Sequence, residues 1–123
     1  MPSERQIVEI LERIAADIPG FIGASLVDLE SGLTLGVKTA RPEFDLAAAS
    51  AYNSEMVKQN MKIMKALNLK THFEDLVLTL GDQIHMIKLI NPTTFIYLAA
   101  ERGQTNLGLV RNAVNRSLTS FAV

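Results

Sequence analysis

FIGASLVDLESGLTLGVKT, residues 21–39, holds two strands of different kinds around one turn. FIGASLVD, at 21–28, is apolar at almost every position, which suits a strand covered on both faces. LTLGVKT, at 33–39, alternates Leu33, Leu35 and Val37 with smaller or polar residues. That alternation predicts a strand with one well-buried face. Leu29-Glu30-Ser31-Gly32 reads as the hairpin turn, and Asp28 is placed to bond its backbone.

The same contrast returns later in the chain. FEDLVLTL (73–80) and QIHMIKLI (83–90) flank Gly81-Asp82 and read as a second hairpin. After Asn91-Pro92 comes FIYLAA (95–100), again fully apolar. The two continuously apolar strands, first and fifth, belong at the centre of a sheet, with the alternating strands further out. The hairpins supply the neighbours 2-1 and 5-4-3, and burial pairs strand 1 with strand 5. The expected order is 2-1-5-4-3, antiparallel throughout.

Three helices complete the pattern. Ser3 and Gln6 form a capping box. Behind it, Ile7, Leu11, Ile14 and Ile18 make one stripe with Ile10 beside it, a helix with one buried face. Pro19-Gly20 ends it. Arg41-Pro42 breaks the sheet pattern, and from about Glu43 to Leu69 there is neither proline nor glycine, which predicts one long helix. Thr105 or Asn106 caps a last helix running to about Ser120 and burying Leu107, Val110, Val114 and Leu118. The fold class is α+β, αββαβββα, with helices on both faces of the sheet.

With 123 residues the chain is expected to be one domain spanning 1–123. Twelve basic residues nearly balance thirteen acidic ones, which argues against a nucleic-acid partner. No cysteine is present, so disulfides and thiolate metal sites are excluded. No basic start followed by an apolar run opens the sequence. No apolar segment approaches the roughly 20 residues that span a bilayer. A cytoplasmic protein with no membrane insertion is expected.

Catalytic chemistry finds no constellation to rest on. No GxxxxGK[ST] occurs, and Gly20, Gly23, Gly32 and Gly36 lie in or beside the first hairpin. His72 stands near Glu74 and Asp75, a conceivable acid–base set, but it reads as a loop residue entering a strand. His85 lies mid-strand, where a hydrogen bond to a neighbour is expected rather than a metal. Asp28 and Glu30 read as hairpin carboxylates. Arg102, Arg111 and Arg116 have ordinary structural readings. The expectation is no catalytic residue, no cofactor and no metal. Few polar anchors lie in the apolar strands, which also disfavours a small-molecule pocket.

That leaves surface. On a wheel of about 100° per residue, Leu46, Ala49, Tyr52, Met56, Val57, Met61, Ile63, Met64 and Leu67 cover roughly half of the long helix. One side of a sheet needs a narrower stripe, so the surplus requires another partner. Asn53 and Asn60 lie in the same arc. They either pair across a helix–helix contact, as polar core positions do in coiled coils, or sit at its wet edge. Lys58, Lys62 and Lys65 project elsewhere, at about 100–160°. They are either a docking surface for an acidic partner or a solvated face.

The element order, with GASLVDLESGLTLG, EDLVLTLGDQIHMIKLI and AAERGQTNLGLVRNAVNRSL, resembles the roadblock/dynein light chain family, a roadblock/profilin-like fold. The resemblance covers nearly the whole chain and points to the stand-alone prokaryotic members related to polarity GTPase regulators. It implies a dimeric platform that binds a small Ras-like GTPase, with long second helices packed antiparallel and edge strands paired across a two-fold axis. On that basis Asn53, Val57, Asn60, Met61, Met64, Leu76 and Leu78 form the homodimer interface, and Lys58, Lys62 and Lys65 meet the partner. The sequence stops soon after the third helix, so the C-terminal extension of some polarity proteins is not expected. The function implied is a non-enzymatic adaptor that regulates the GTPase, promoting hydrolysis by remodelling it. The alternative is a nucleotide-independent scaffold bridging a motor or signalling complex.

Overall fold

The computed structural model describes residues 2–121. In chain order it contains α1 (Glu4–Asp17), β1 (Phe21–Asp28), β2 (Thr34–Thr39), α2 (Leu46–Ala66), β3 (Asp75–Thr79), β4 (Gln83–Asn91), β5 (Thr94–Glu101) and α3 (Leu107–Phe121). The strands form one antiparallel sheet in the order β2-β1-β5-β4-β3. Both expectations, element order and sheet order, hold.

Local chemistry sets the ends. The Ser3 hydroxyl accepts from the Gln6 amide at 3.2 Å, and the Ser3 amide donates back to Gln6 Oε1 at 2.9 Å. Asn106 caps α3 by accepting from the Leu109 amide at 3.0 Å. Asp45 caps α2 by accepting from the Ala48 amide at 3.0 Å. The far end of α2 is closed by Asn68, which adopts φ 56°. The Asn68 and Leu69 amides donate back to the carbonyls of Lys65 and Met64, each at 3.0 Å. This is a left-handed cap with asparagine in the usual glycine position, and it stops α2 short of the expected Leu69.

Each face of the sheet has its own core. On one, Ile7, Ile10, Leu11 and Ile14 of α1 and Val110 and Val114 of α3 cover Leu26, Ile96 and Leu98. On the other, Leu46 and Val57 of α2 cover Val27, Ile87, Phe95 and Tyr97. Successive residues of β5 thus enter opposite cores, which is why the strand carries no polar alternation.

β2 departs from expectation. Its period of two is present, but its apolar row is not its buried row. Leu33 and Val37 are 68% and 53% exposed, and Leu35 is exposed too. The covered side is the one with Gly36, where α1 approaches so closely that a Cβ would collide with Cγ2 of Ile7. The opposite side lies outside the core under α2. β2 is also bulged. Leu26 faces Gly36 and Val27 faces Thr34, so Leu35 is an extra residue. β3, the other edge, pairs with β4 through five successive residues without a slip.

Gly36→Ala tests the close approach of α1. The added methyl forces α1 outward, and the unfolding free energy is expected to fall by about 1–3 kcal/mol. Urea denaturation followed by circular dichroism reads this directly. An unchanged midpoint would contradict the packing described.

Candidate interaction surface on the second helix

α2 meets the sheet through small residues. Its fully covered positions are Leu46, Ser50, Ser54 and Val57. The Ser50 hydroxyl donates to the Leu46 carbonyl at 2.6 Å and stands 2.8 Å from the hydroxyl of Ser25 on β1. Ser54 donates to the Leu29 carbonyl at 2.5 Å. Serine in a core is tolerated because each buried hydroxyl is bonded, and its small size lets the helix lie close. On the helical wheel this stripe spans about 0–80°.

The remaining apolar residues of α2 find no place there. Tyr52 is 77% exposed, Leu67 beyond the helix end is 64% exposed, and Met56 and Ile63 are open as well. They lie at about 240–300°, on the flank away from the lysines. This flank borders β3: Asn53 and Met56 share a shallow cleft with Leu76 and Leu78. An exposed apolar helix flank and an unbulged sheet edge, with Leu78 47% exposed, therefore adjoin.

The residues expected at a dimer interface divide accordingly. Leu78 is open, and Leu76 and Met61 are half-buried against the sheet. Met64 is half-buried near the end of α2. Asn60 is half-buried, with its amide donating to the Met56 carbonyl at 3.0 Å. Val57 is 0% exposed and packed against its own sheet. Tyr52, Met56, Ile63 and Leu67 stand open on the flank instead. They belonged to the apolar arc, but which half faces the sheet was decided by serines that no apolar count detects.

Lys58 is anchored within the chain. Its ammonium donates to the Glu30 carbonyl at 2.8 Å and pairs with Glu55 at 3.5 Å, so it is tied to the β1–β2 turn. Lys62 and Lys65 are exposed.

A polar chain crosses the second core. Gln83 Oε1 lies 2.7 Å from His85 Nε2, and the Tyr97 hydroxyl lies 2.9 Å from His85 Nδ1. An amide oxygen only accepts, so Nε2 carries the proton and Nδ1 accepts from Tyr97. Asn53 hydrogen-bonds the same hydroxyl. Asn53 thus bonds within the core of its own chain. Burial pushes the Tyr97 phenol up to about 12, against the opposing effect of Asn53. Burial also lowers His85, outweighing the pull of Asp82. Phe44 packs edge-on to His85 at 6.0 Å between ring centres. His85 is the hydrogen-bonded strand histidine its setting suggested.

The other candidates have structural employment. Asp28 accepts from the amide and hydroxyl of Ser31 at 2.9 and 2.6 Å, which holds its carboxyl below the ordinary range. Arg111 makes a two-pronged bond to Asp75, at 3.1 and 2.9 Å, and this raises its already high pKa. Arg102 donates to the Leu80 carbonyl at 3.1 Å. His72 is exposed and stands 3.9 Å from Glu74. Among the described residues no three His, Cys, Asp or Glu side chains converge as a metal site. Nor is any described helix long and apolar enough to cross a membrane.

Solved structures place this arrangement. A Roadblock/LC7 domain from Streptomyces avermitilis matches with a TM-score of 0.78 at 14% identity, over 90% of each chain. The chain has the roadblock fold. The gliding protein MglB from Thermus thermophilus matches at 0.83 and 18% identity, over 99% of this chain and 90% of that one. Myxococcus xanthus MglB matches this roadblock architecture at 0.84 and 14% identity, over 95% and 85%. No family model matches the sequence, and no curated protein does.

The His85 setting predicts a pH response. Its folded pKa lies below the ordinary value of 6.5, so between the two values the unfolded chain binds more protons. Stability is complete above about pH 6.5 and falls as the pH drops toward the folded value, no more steeply than about 1.4 kcal/mol per pH unit. Urea midpoints from pH 7.5 down to 5 should show this, and His85→Gln should flatten the response. A wild-type midpoint that stays level across that range would contradict it.

Proposed function

We propose that the protein is a non-enzymatic, cytoplasmic, homodimeric adaptor that binds and regulates a small Ras-like GTPase. The observation that carries this reading is the open apolar flank of α2 beside the regular edge of β3. Exposed apolar surface of this kind marks an interaction site, and an unprotected edge strand invites pairing. A two-fold axis at that edge sets α2 against its copy and β3 against its copy, which covers Met56, Ile63 and Leu78 together. The resemblance to roadblock proteins, and the likeness in fold to MglB structures, supports a GTPase as the partner.

The adaptor acts without chemistry of its own. It has no phosphate loop, and no arginine stands free for insertion at 102 or 111. Acceleration of hydrolysis therefore comes from positioning the GTPase's own groups. Lys62 and Lys65, exposed on the flank opposite the dimer surface, attract an acidic partner and raise its association rate.

Two measurements test the two parts. In sedimentation at tens of micromolar the wild type is expected as a dimer. Leu78→Lys should weaken association by at least about tenfold, worth about 1.4 kcal/mol, with its circular dichroism unchanged. A wild-type monomer would end the dimer reading. Separately, single-turnover phosphate release from a Ras-like GTPase encoded nearby should speed up when this protein is added. Lys62→Glu with Lys65→Glu should slow association most at low salt. Equal binding of the GTP and GDP forms without acceleration would leave a scaffold and remove the regulator.

A further inference from the structure

A second feature lies at the C-terminal end of α2 and shares only Lys65 with the partner-facing flank. The last turns of the helix, the loop to β3 and the end of β4 enclose an open cleft of about 620 Å³, within the range of ligand pockets. Its floor and walls are apolar: Met61, Met64, Leu69, Phe73, Leu89 and Pro92. Two methionines beside a phenylalanine give a lining that adapts to an alkyl chain. The polar groups stand apart, supplied by the helix, the loop to β3 and the last residue of β4. They are Lys65, Thr71, His72 and Asn91.

Those polar groups share one character. Asn91 Oδ1 already accepts from the amide and hydroxyl of Thr93 at 2.9 and 3.0 Å, so the end left for a ligand is its NH₂. Lys65 supplies a positive charge, and no carboxylate lines the cleft among the described residues. Glu74, the carboxylate nearest His72, lies 3.9 Å from that ring and outside the lining. The C-terminal carbonyls of a helix ordinarily repel an anion. Here those of Ile63, Met64 and Lys65 are taken up by the amides of Leu67, Leu69 and Asn68. An apolar body with donors and one cation at its rim is complementary to a chain that ends in an anion.

We propose that this cleft binds a monomeric anionic amphiphile: an alkyl chain with a terminal carboxylate. The chain lies on Met61, Met64, Phe73 and Leu89. The carboxylate meets the Lys65 ammonium and the Asn91 amide.

The test uses the full chain with no GTPase present. Calorimetric titration with octanoate is expected to show saturable binding of one molecule per chain. Butyrate and 1-octanol should each bind at least about tenfold more weakly, one for lack of buried methylenes and the other for lack of charge. Lys65→Gln should weaken octanoate by about tenfold and leave 1-octanol unchanged. Leu89→Trp fills the cleft and should weaken both. In the unmodified protein, octanoate should shift the NMR signals of the Met61 and Met64 methyl groups, a readout independent of any variant's folding. The proposal is overturned if octanoate does not saturate at millimolar concentration, or if those methyl signals stay still. Equal binding of octanoate and 1-octanol would remove the anionic head. Binding to anionic phospholipid vesicles, with none of free octanoate, would assign the surface to a membrane instead.

Discussion

The structure depends on one constraint: β1 and β5 are covered on both faces. A strand so placed sends successive side chains into different cores and has no solvent side to carry polar residues. Ile96 and Leu98 go to one core, Phe95 and Tyr97 to the other. Everything else is arranged around that pair. The hairpins append β2 and β4-β3 outward, and the helices must divide between two faces because both need covering.

The two faces are covered differently. α1 and α3 together supply broad aliphatic surface to one. α2 alone serves the other, through a narrow stripe half made of serine. Serine shortens the distance between helix and sheet, but it contributes little apolar area. The long apolar side chains of α2 are therefore left on its flank instead of beneath it. The open apolar flank is thus a consequence of how α2 docks, and the cleft at its end follows from where Asn68 halts it.

Much of the fold was legible. Period-two and continuous apolar patterns located five strands, and the contrast between them ordered the sheet. The capping box at Ser3 was readable because both partners are close in sequence. Helix α2 was legible as a helix but not in its orientation. Apolar counting cannot anticipate Ser50 and Ser54 as core residues, so it does not show that Val57 packs against the sheet while Tyr52 and Ile63 stay open. Lys58 looked free because its acceptor, the Glu30 carbonyl, is a backbone atom 28 residues away. β2 misled for a related reason: its covered side is set by a glycine that admits α1. The cleft beside Lys65 was invisible because its walls come from three segments that meet only in the fold.

The bulge at Leu35 bears on how many copies an assembly can hold. A sheet with two regular edges has no natural limit to its growth, since each added copy offers another edge. Here one edge is straight and the other is interrupted by an extra residue and carries Lys38, features that blunt strand addition. Joining two copies straight edge to straight edge leaves only interrupted edges facing outward. In the dimer proposed above, growth by strand pairing would then terminate after a single step instead of running on into a filament.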